Sequence, residues 1–218
     1  MTRIVCIADL QGMCLLVKPE MLPKGDMLLI AGDLAGFGDI SEFEKTNDWL
    51  ATLDYQYKIV IAGNHDIDLV EIDGHKIFTN ATYLQDEFIE IEGITIYGSP
   101  VNDMNELKYN GWVFCMPDYI RAATHKIPKD LDILLTHGGP LGILDKLKRN
   151  DRHVGSPHIL EAVKAKKPKY HVFGHIHESG GILKQGKTTF INAALCDEKN
   201  TMLKEDGSLM HLPITIDI

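Results

Sequence analysis

Five short apolar runs, each stopped by a block of glycine and chemically active side chains, constrain this chain more than any other feature. Arg3–Ala8 (RIVCIA), Met27–Ala31 (MLLIA) and Lys58–Ala62 (KIVIA) are continuous and β-branched, and Leu131–Leu135 and Tyr170–Phe173 are shorter copies. Runs without polar alternation belong to strands buried on both faces, the habit of parallel sheets. Between the second and third, Ser41–Leu53 sets Phe43, Trp49, Leu50 and Leu53 on a helical period behind a Ser41/Glu44 capping box. Strand, helix, strand at this spacing predicts parallel pairing. Ser156 caps a second helix that runs to about Lys166 and is ended by Pro168. Hairpins are expected for Phe88–Ile91 with Thr95–Tyr97 around Glu92-Gly93, and for Gly181–Leu183 with Thr189–Ile191 around Gln185-Gly186. The expectation is one α/β domain over residues 1–218, with parallel central strands and added antiparallel hairpins.

The block at the end of each run carries the chemistry. The blocks are Asp9-Leu10-Gln11-Gly12, Gly32-Asp33, Gly63-Asn64-His65-Asp66, Thr136-His137-Gly138-Gly139 and Gly174-His175-Ile176-His177. Open α/β sheets bind ligands beyond the carboxyl ends of their parallel strands. Taken singly, each block is ordinary, because a lone loop histidine is usually just hydrogen-bonded and Gly-Asp is usually a turn. Together they deliver carboxylates, an amide and imidazoles to one rim, which argues for a metal site. Oxygen and nitrogen donors without thiolate suit Mn, Fe, Zn or similar ions. Six candidate ligands exceed one ion's needs and a carboxylate can bridge, so two divalent ions are favoured. Such a pair clamps a phosphate and lowers the pKa of a shared water to give a hydroxide nucleophile.

Charge narrows the partners. The 218 residues carry a formal net charge of −9, which argues against a nucleic-acid binder. The strongest basic cluster, Lys164–Lys169, falls at a helix end, where cations suit the dipole. No apolar stretch approaches the roughly 20 residues of a membrane span. Asp9 and Gln11 interrupt any signal-peptide pattern, so a cytoplasmic location and no membrane partner are expected. Cys6, Cys14, Cys115 and Cys196 are scattered and read as reduced thiols. His171 reads as a core or edge histidine with its hydrogen bonds met, Asn192 as a donor to backbone, and Arg149, Arg152 and His153 as a solvated loop.

The five blocks resemble those of the calcineurin-like metallophosphoesterases. LPKGDMLLIAGD, NDWLATLDYQYKIVIAGNHD, YGSPVND and HVFGHIHESGG are similar more specifically to the metallophosphoesterase-domain-containing branch, and the resemblance runs from Ile4 to about Cys196. It implies a four-layer α/β/β/α sandwich with a dinuclear metal site at the C-terminal ends of central strands. By that resemblance Asp9 and His177 hold the first metal, Asp33 bridges, and Asn64, His137 and His175 hold the second. His65 matches a non-ligand histidine that stabilises the phosphoryl charge or protonates the leaving group, and Asp66 matches the acid that orients it. Asn64 and His65 would also meet substrate.

Gln11 departs from the pattern, which has histidine there. Its neutral amide oxygen is a weaker ligand for a borderline ion, so Gln11→His is expected to tighten the first site. The resemblance implies a metal-dependent phosphoesterase, foremost a phosphodiesterase, using hydroxide bridging two ions. Mn is favoured, with Fe, Zn, Mg, Ni or Co as alternatives. The substrate is a small phosphate ester, nucleotides among the candidates. The alternative is a catalytically weakened nucleotide- or partner-binding module with an altered first metal site.

Overall fold

The computed structural model describes residues 1–103 and 112–218. In chain order the elements are β1 (Arg3–Ile7), β2 (Met27–Ala31), α1 (Ile40–Ala51), β3 (Tyr57–Ile61), α2 (Gly74–Ile77), β4 (Thr82–Tyr83), β5 (Glu87–Ile91), β6 (Ile94–Ser99), α3 (Pro117–Lys126), β7 (Ile133–Thr136), α4 (Pro157–Lys166), β8 (Tyr170–Phe173), β9 (Gly181–Gln185), β10 (Thr188–Asn192) and β11 (Ile214–Asp217). They form two sheets, β11-β1-β2-β3-β4 and β5-β6-β7-β8-β10-β9. The five apolar runs are β1, β2, β3, β7 and β8, and the neighbouring pairs among them are parallel.

Side-chain alternation along each strand explains the layers. Ile4, Cys6, Met27, Leu29, Ile59 and Ile61 of the first sheet face Ile96, Ile133, Leu135, Val172 and Ile191 of the second, which makes the central core. The intervening Val5, Ile7, Leu28, Ile30 and Val60 point outward onto Phe43, Trp49 and Leu50 of α1. On the far side Tyr97, Leu134, Phe173 and Phe190 pack on Ile120 and Ala123 of α3 and on Ile159, Ala162 and Val163 of α4. The result is helix, sheet, sheet, helix. The central strands β1, β2, β3, β7 and β8 are apolar on both faces because each divides two cores.

Both hairpins form. Glu92 and Gly93 turn β5 into β6 with φ of 52° and 75°, the left-handed pair that a two-residue hairpin loop needs. Thr188 pairs with Gln185, so the other loop is Gly186-Lys187, one residue later than expected. Ser156 caps α4 by accepting from Ile159 N–H, as the sequence predicts. The cap of α1 is different. Asp39, not Ser41, accepts from Glu42 N–H, and Ser41 donates to Asp39. An anionic cap suits the positive helix end better than a hydroxyl. Glu42 in turn gathers the amides of Gly36, Phe37 and Gly38 and ties down the loop after β2.

Register aligns the strand ends. Ala31 lies opposite Ile61, and Leu135 lies opposite Val172, so the blocks beyond them emerge level with one another. The sheets meet at this rim, where Ala8 bridges Ala194 and Leu195 N–H donates to Ala8 O. All four cysteines are free. Among the described residues no helix is long and apolar enough to cross a membrane.

Candidate metal centre

The first sheet brings Asp9, Asp33 and Asn64 to the seam, and the second brings His137, His175 and His177. Backbone bonds lock the two loops of the first sheet together, with Asp9 N–H on Gly32 O at 3.0 Å and Gln11 N–H on Asp33 O at 2.9 Å. Asp9, Gln11, Asp33 and His175 all have left-handed backbones, with φ of 61°, 49°, 51° and 69°. That conformation folds each side chain back over its own strand end. Two glycines make room for the approach. A Cβ on Gly63 would lie 2.3 Å from Asp33 Oδ1, and one on Gly174 would lie 2.3 Å from Asp9 Oδ2.

Two groups of donor atoms result. In the first, Asp9, Asp33 and His177 each offer an atom, all within 4.8 Å of one another. His177 Nδ1 donates to Asp197 O, and its Nε2 stands 3.3 Å from Asp9 Oδ1. In the second, His137 Nδ1 donates to Ala31 O at 2.9 Å, while Nε2 faces Asn64 Oδ1 at 2.9 Å and Asp33 Oδ1 at 3.3 Å. The His175 ring stands edge-on to His137 with centroids 5.0 Å apart, and its backbone N–H donates to both oxygens of Asp9. Asp33 belongs to both groups.

This donor set fits divalent ions. A neutral imidazole whose Nδ1–H is already engaged presents only a lone pair at Nε2. In His137 that lone pair points at two oxygens, and in His177 at a carboxylate, so lone pairs converge on lone pairs. Something positive must lie between them. Without an ion the only remedy is a proton, and the titration behaviour reflects this. Burial opposes charge on His137, but Asp33 and Asp9 raise it to about 9. Burial likewise opposes charge on His177, but Asp9 and Asp33 raise it to about 9. Burial favours the neutral acid of Asp33, yet the His137 and His65 imidazoles hold it well below the usual carboxylate range. His175, buried beside His137, is pushed down to about 3 and stays a neutral donor.

Three residues depart from the sequence reading. Gln11, expected to offer an oxygen to the first ion, instead turns its amide nitrogen to the cluster. Nε2–H donates to Asp33 Oδ2 at 2.8 Å, and a carboxylate can only accept. Asp66, expected to orient His65, instead accepts three amides, from Leu34 at 3.1 Å, Ala35 at 2.8 Å and Gly63 at 2.7 Å. The His65 ring is oriented by Gly36 O, which accepts from Nδ1 at 2.7 Å. His171 meets only half of its hydrogen bonding. Thr136 Oγ1 donates to Gly138 O and so accepts from His171 Nε2–H, which leaves Nδ1 buried without a partner.

Sequence reasoning also missed Trp112, whose ring lies 4.0 Å from that of His65 at 44°. Asn102 secures this strap, its N–H donating to Phe114 O and its side-chain amide to Val113 O. Asn192 donates to Leu144 O and Ile176 O, as expected. His153 leans on the buried Asp145, so that part of the loop is anchored rather than merely solvated.

Asp66 is therefore a structural keystone for two of the strand-end loops. Asp66→Ala would leave three buried N–H groups without an acceptor, each worth about 1–3 kcal/mol. Urea unfolding of the metal-free variant should show at least about 3 kcal/mol of lost stability. A loss below about 1 kcal/mol would mean that water reaches those amides.

The sequence profile described as calcineurin-like phosphoesterase matches residues 2–179. The chain is 37% identical over 223 residues to the human "Metallophosphoesterase domain-containing protein 1", and the mouse protein of that name matches with the same figures. The alignment takes in 89% of this chain and 66% of the human protein, so the chain spans just under two thirds of the length of these relatives. Among solved structures, Thermus thermophilus TT1561 superposes with a TM-score of 0.63 at 14% identity, covering 88% of each chain. A structure titled as that of a novel archaeal phosphodiesterase superposes with a TM-score of 0.51 at 14% identity, covering 98% of this chain and 99% of the other. At that identity the likeness is one of fold.

Proposed function

The chain belongs to the calcineurin-like phosphoesterase family, and on that premise we propose that it is a hydrolase of small phosphodiesters, with residues 1–218 as one catalytic domain. The supporting observation is the pair of donor groups joined at Asp33, with lone pairs converging from Asp33, Asn64 and His137 on one side and from Asp9, Asp33 and His177 on the other. His175 completes the second group. Two divalent ions held there, Mn foremost, would neutralise phosphate charge and acidify water.

The chain's own residues supply the rest. Asn64 turns Oδ1 toward His137, which leaves its Nδ2–H groups to donate to a phosphate oxygen. His65 has Nδ1 engaged by Gly36 O, so Nε2 is the free position, and the ring as imidazolium gives its Nε2 proton to the departing alkoxide and is left neutral. That nitrogen stands 4.0 Å from Asp33 Oδ2, beside the cluster and outside it. The acidic net charge favours a small ester, nucleotides included, over a nucleic acid as substrate, and the location that goes with this reading is the cytoplasm.

The test is turnover of bis-p-nitrophenyl phosphate, p-nitrophenyl phosphate and cyclic and linear nucleotides after chelation and reloading with Mn, Mg, Ni, Co or Zn. Diester hydrolysis that vanishes on chelation and returns with metal is the expected result. Nucleotide binding without turnover in any metal would overturn it in favour of a binding module.

A further inference from the structure

The Asp33 carboxylate is gripped from both sides. His65 N–H donates to Oδ1 at 2.9 Å and Gln11 Nε2–H donates to Oδ2 at 2.8 Å. Gln11 also donates its backbone N–H to Asp33 O at 2.9 Å, so one residue holds Asp33 at both its main chain and its side chain. The side chain is not a solvent-exposed arm that happens to touch, for Gln11 is only 8% exposed. Both residues have left-handed backbones, and the two bonds brace those conformations against each other.

We propose that Gln11 is a positioning residue for the bridging carboxylate rather than a metal ligand. The inference rests on the metal-centre reading. Each carboxylate oxygen has about two lone-pair sites, and an N–H on each leaves the remaining lone pairs to point in fixed directions. Rotation of the carboxylate would break one bond or the other. Loss of the Gln11 donor frees Asp33 to turn, and because Asp33 serves both donor groups, both ions feel it. A lost ligand would instead weaken one ion alone.

Calorimetric titration of metal-free protein with Mn separates these readings. For Gln11→Leu, which keeps the bulk and removes the donor, both Mn affinities should fall by about 10- to 100-fold, the usual worth of a partner that orients a ligand. Electron paramagnetic resonance of the Mn-loaded Gln11→Leu protein should show an altered exchange coupling, since coupling passes through the bridge. Gln11→Asn, a shorter donor in the same polar loop, should fall with Gln11→Leu and guards against a folding defect of the leucine. Weakening of one ion only, or affinities in Gln11→Leu and Gln11→Asn equal to wild type, would each overturn the proposal. Failure of wild type to bind Mn would sink the metal-centre reading beneath it, and two bound Mn without diester turnover would sink the reaction alone.

Discussion

Asp33→Asn is expected to abolish the proposed dinuclear centre while leaving the chain folded. The substitution removes one of the two carboxylates among the cluster donors and does so at the position the two groups share. An amide must also put its NH₂ where one oxygen was. In the Oδ1 place it opposes the His65 N–H, and in the Oδ2 place it opposes the Gln11 Nε2–H, which can reverse only by turning its own amide. Both Mn affinities should fall by more than the ~10–100-fold typical of an outer partner, and each tenfold is about 1.4 kcal/mol. Metal analysis after dialysis should therefore find less than one ion per chain. The metal-free variant should unfold in urea earlier than wild type but still cooperatively, because the imidazoles that hold the Asp33 carboxylate in its ionised form lose their counter-charge. Two ions at wild-type occupancy would disprove the bridging assignment.

His65→Ala should do the opposite, keeping metal and losing rate. The ring reaches the cluster only at 4.0 Å, through Nε2, while Nδ1 is committed to Gly36 O. Losing a general acid typically lowers turnover by about 10² to 10⁴. The loss should depend on the leaving group. A nitrophenolate departs without a proton, whereas a nucleoside or alkyl alkoxide does not, so the alkyl ester should lose more rate than the aryl one. A uniform loss across leaving groups would reassign His65 to phosphate charge stabilisation. Parallel loss of metal and rate would make it a ligand.

The candidate ligands were readable because two signals coincide at them. Unbroken apolar runs mark parallel strands, and parallel strands present their C-terminal ends to ligands, so Asp9, Asp33, Asn64, His137, His175 and His177 announce themselves by position as well as by type. The division into two sheets was not readable from the runs. KIVIA in the first sheet and ILLT in the second are buried on both faces by different layers, yet they look the same as strings. The atoms that aim the rings were hidden for another reason. Ala31 O, Asp197 O and Gly36 O are backbone carbonyls, and any residue supplies one. Asp66 misled because adjacency in sequence suggested His65 as its partner, whereas its carboxylate turns to the amides of Leu34, Ala35 and Gly63. Trp112 carries no local pattern that would point it at a histidine 47 positions earlier (112 − 65).

The left-handed backbones at Asp9, Gln11, Asp33 and His175 bear on any attempt to engineer this protein. In that conformation a side chain other than glycine works against its own Cβ, by about 1–2 kcal/mol and less for aspartate. A redesign that scored backbone conformation alone would fill these four positions with glycine. The same four changes would erase two carboxylates, the amide that braces one of them and a neutral imidazole. Natural domains commonly trade stability against function at such places. Thermostabilisation should therefore begin far from the rim, for instance at the exposed Gly186-Lys187 turn that follows β9, with these four residues held fixed.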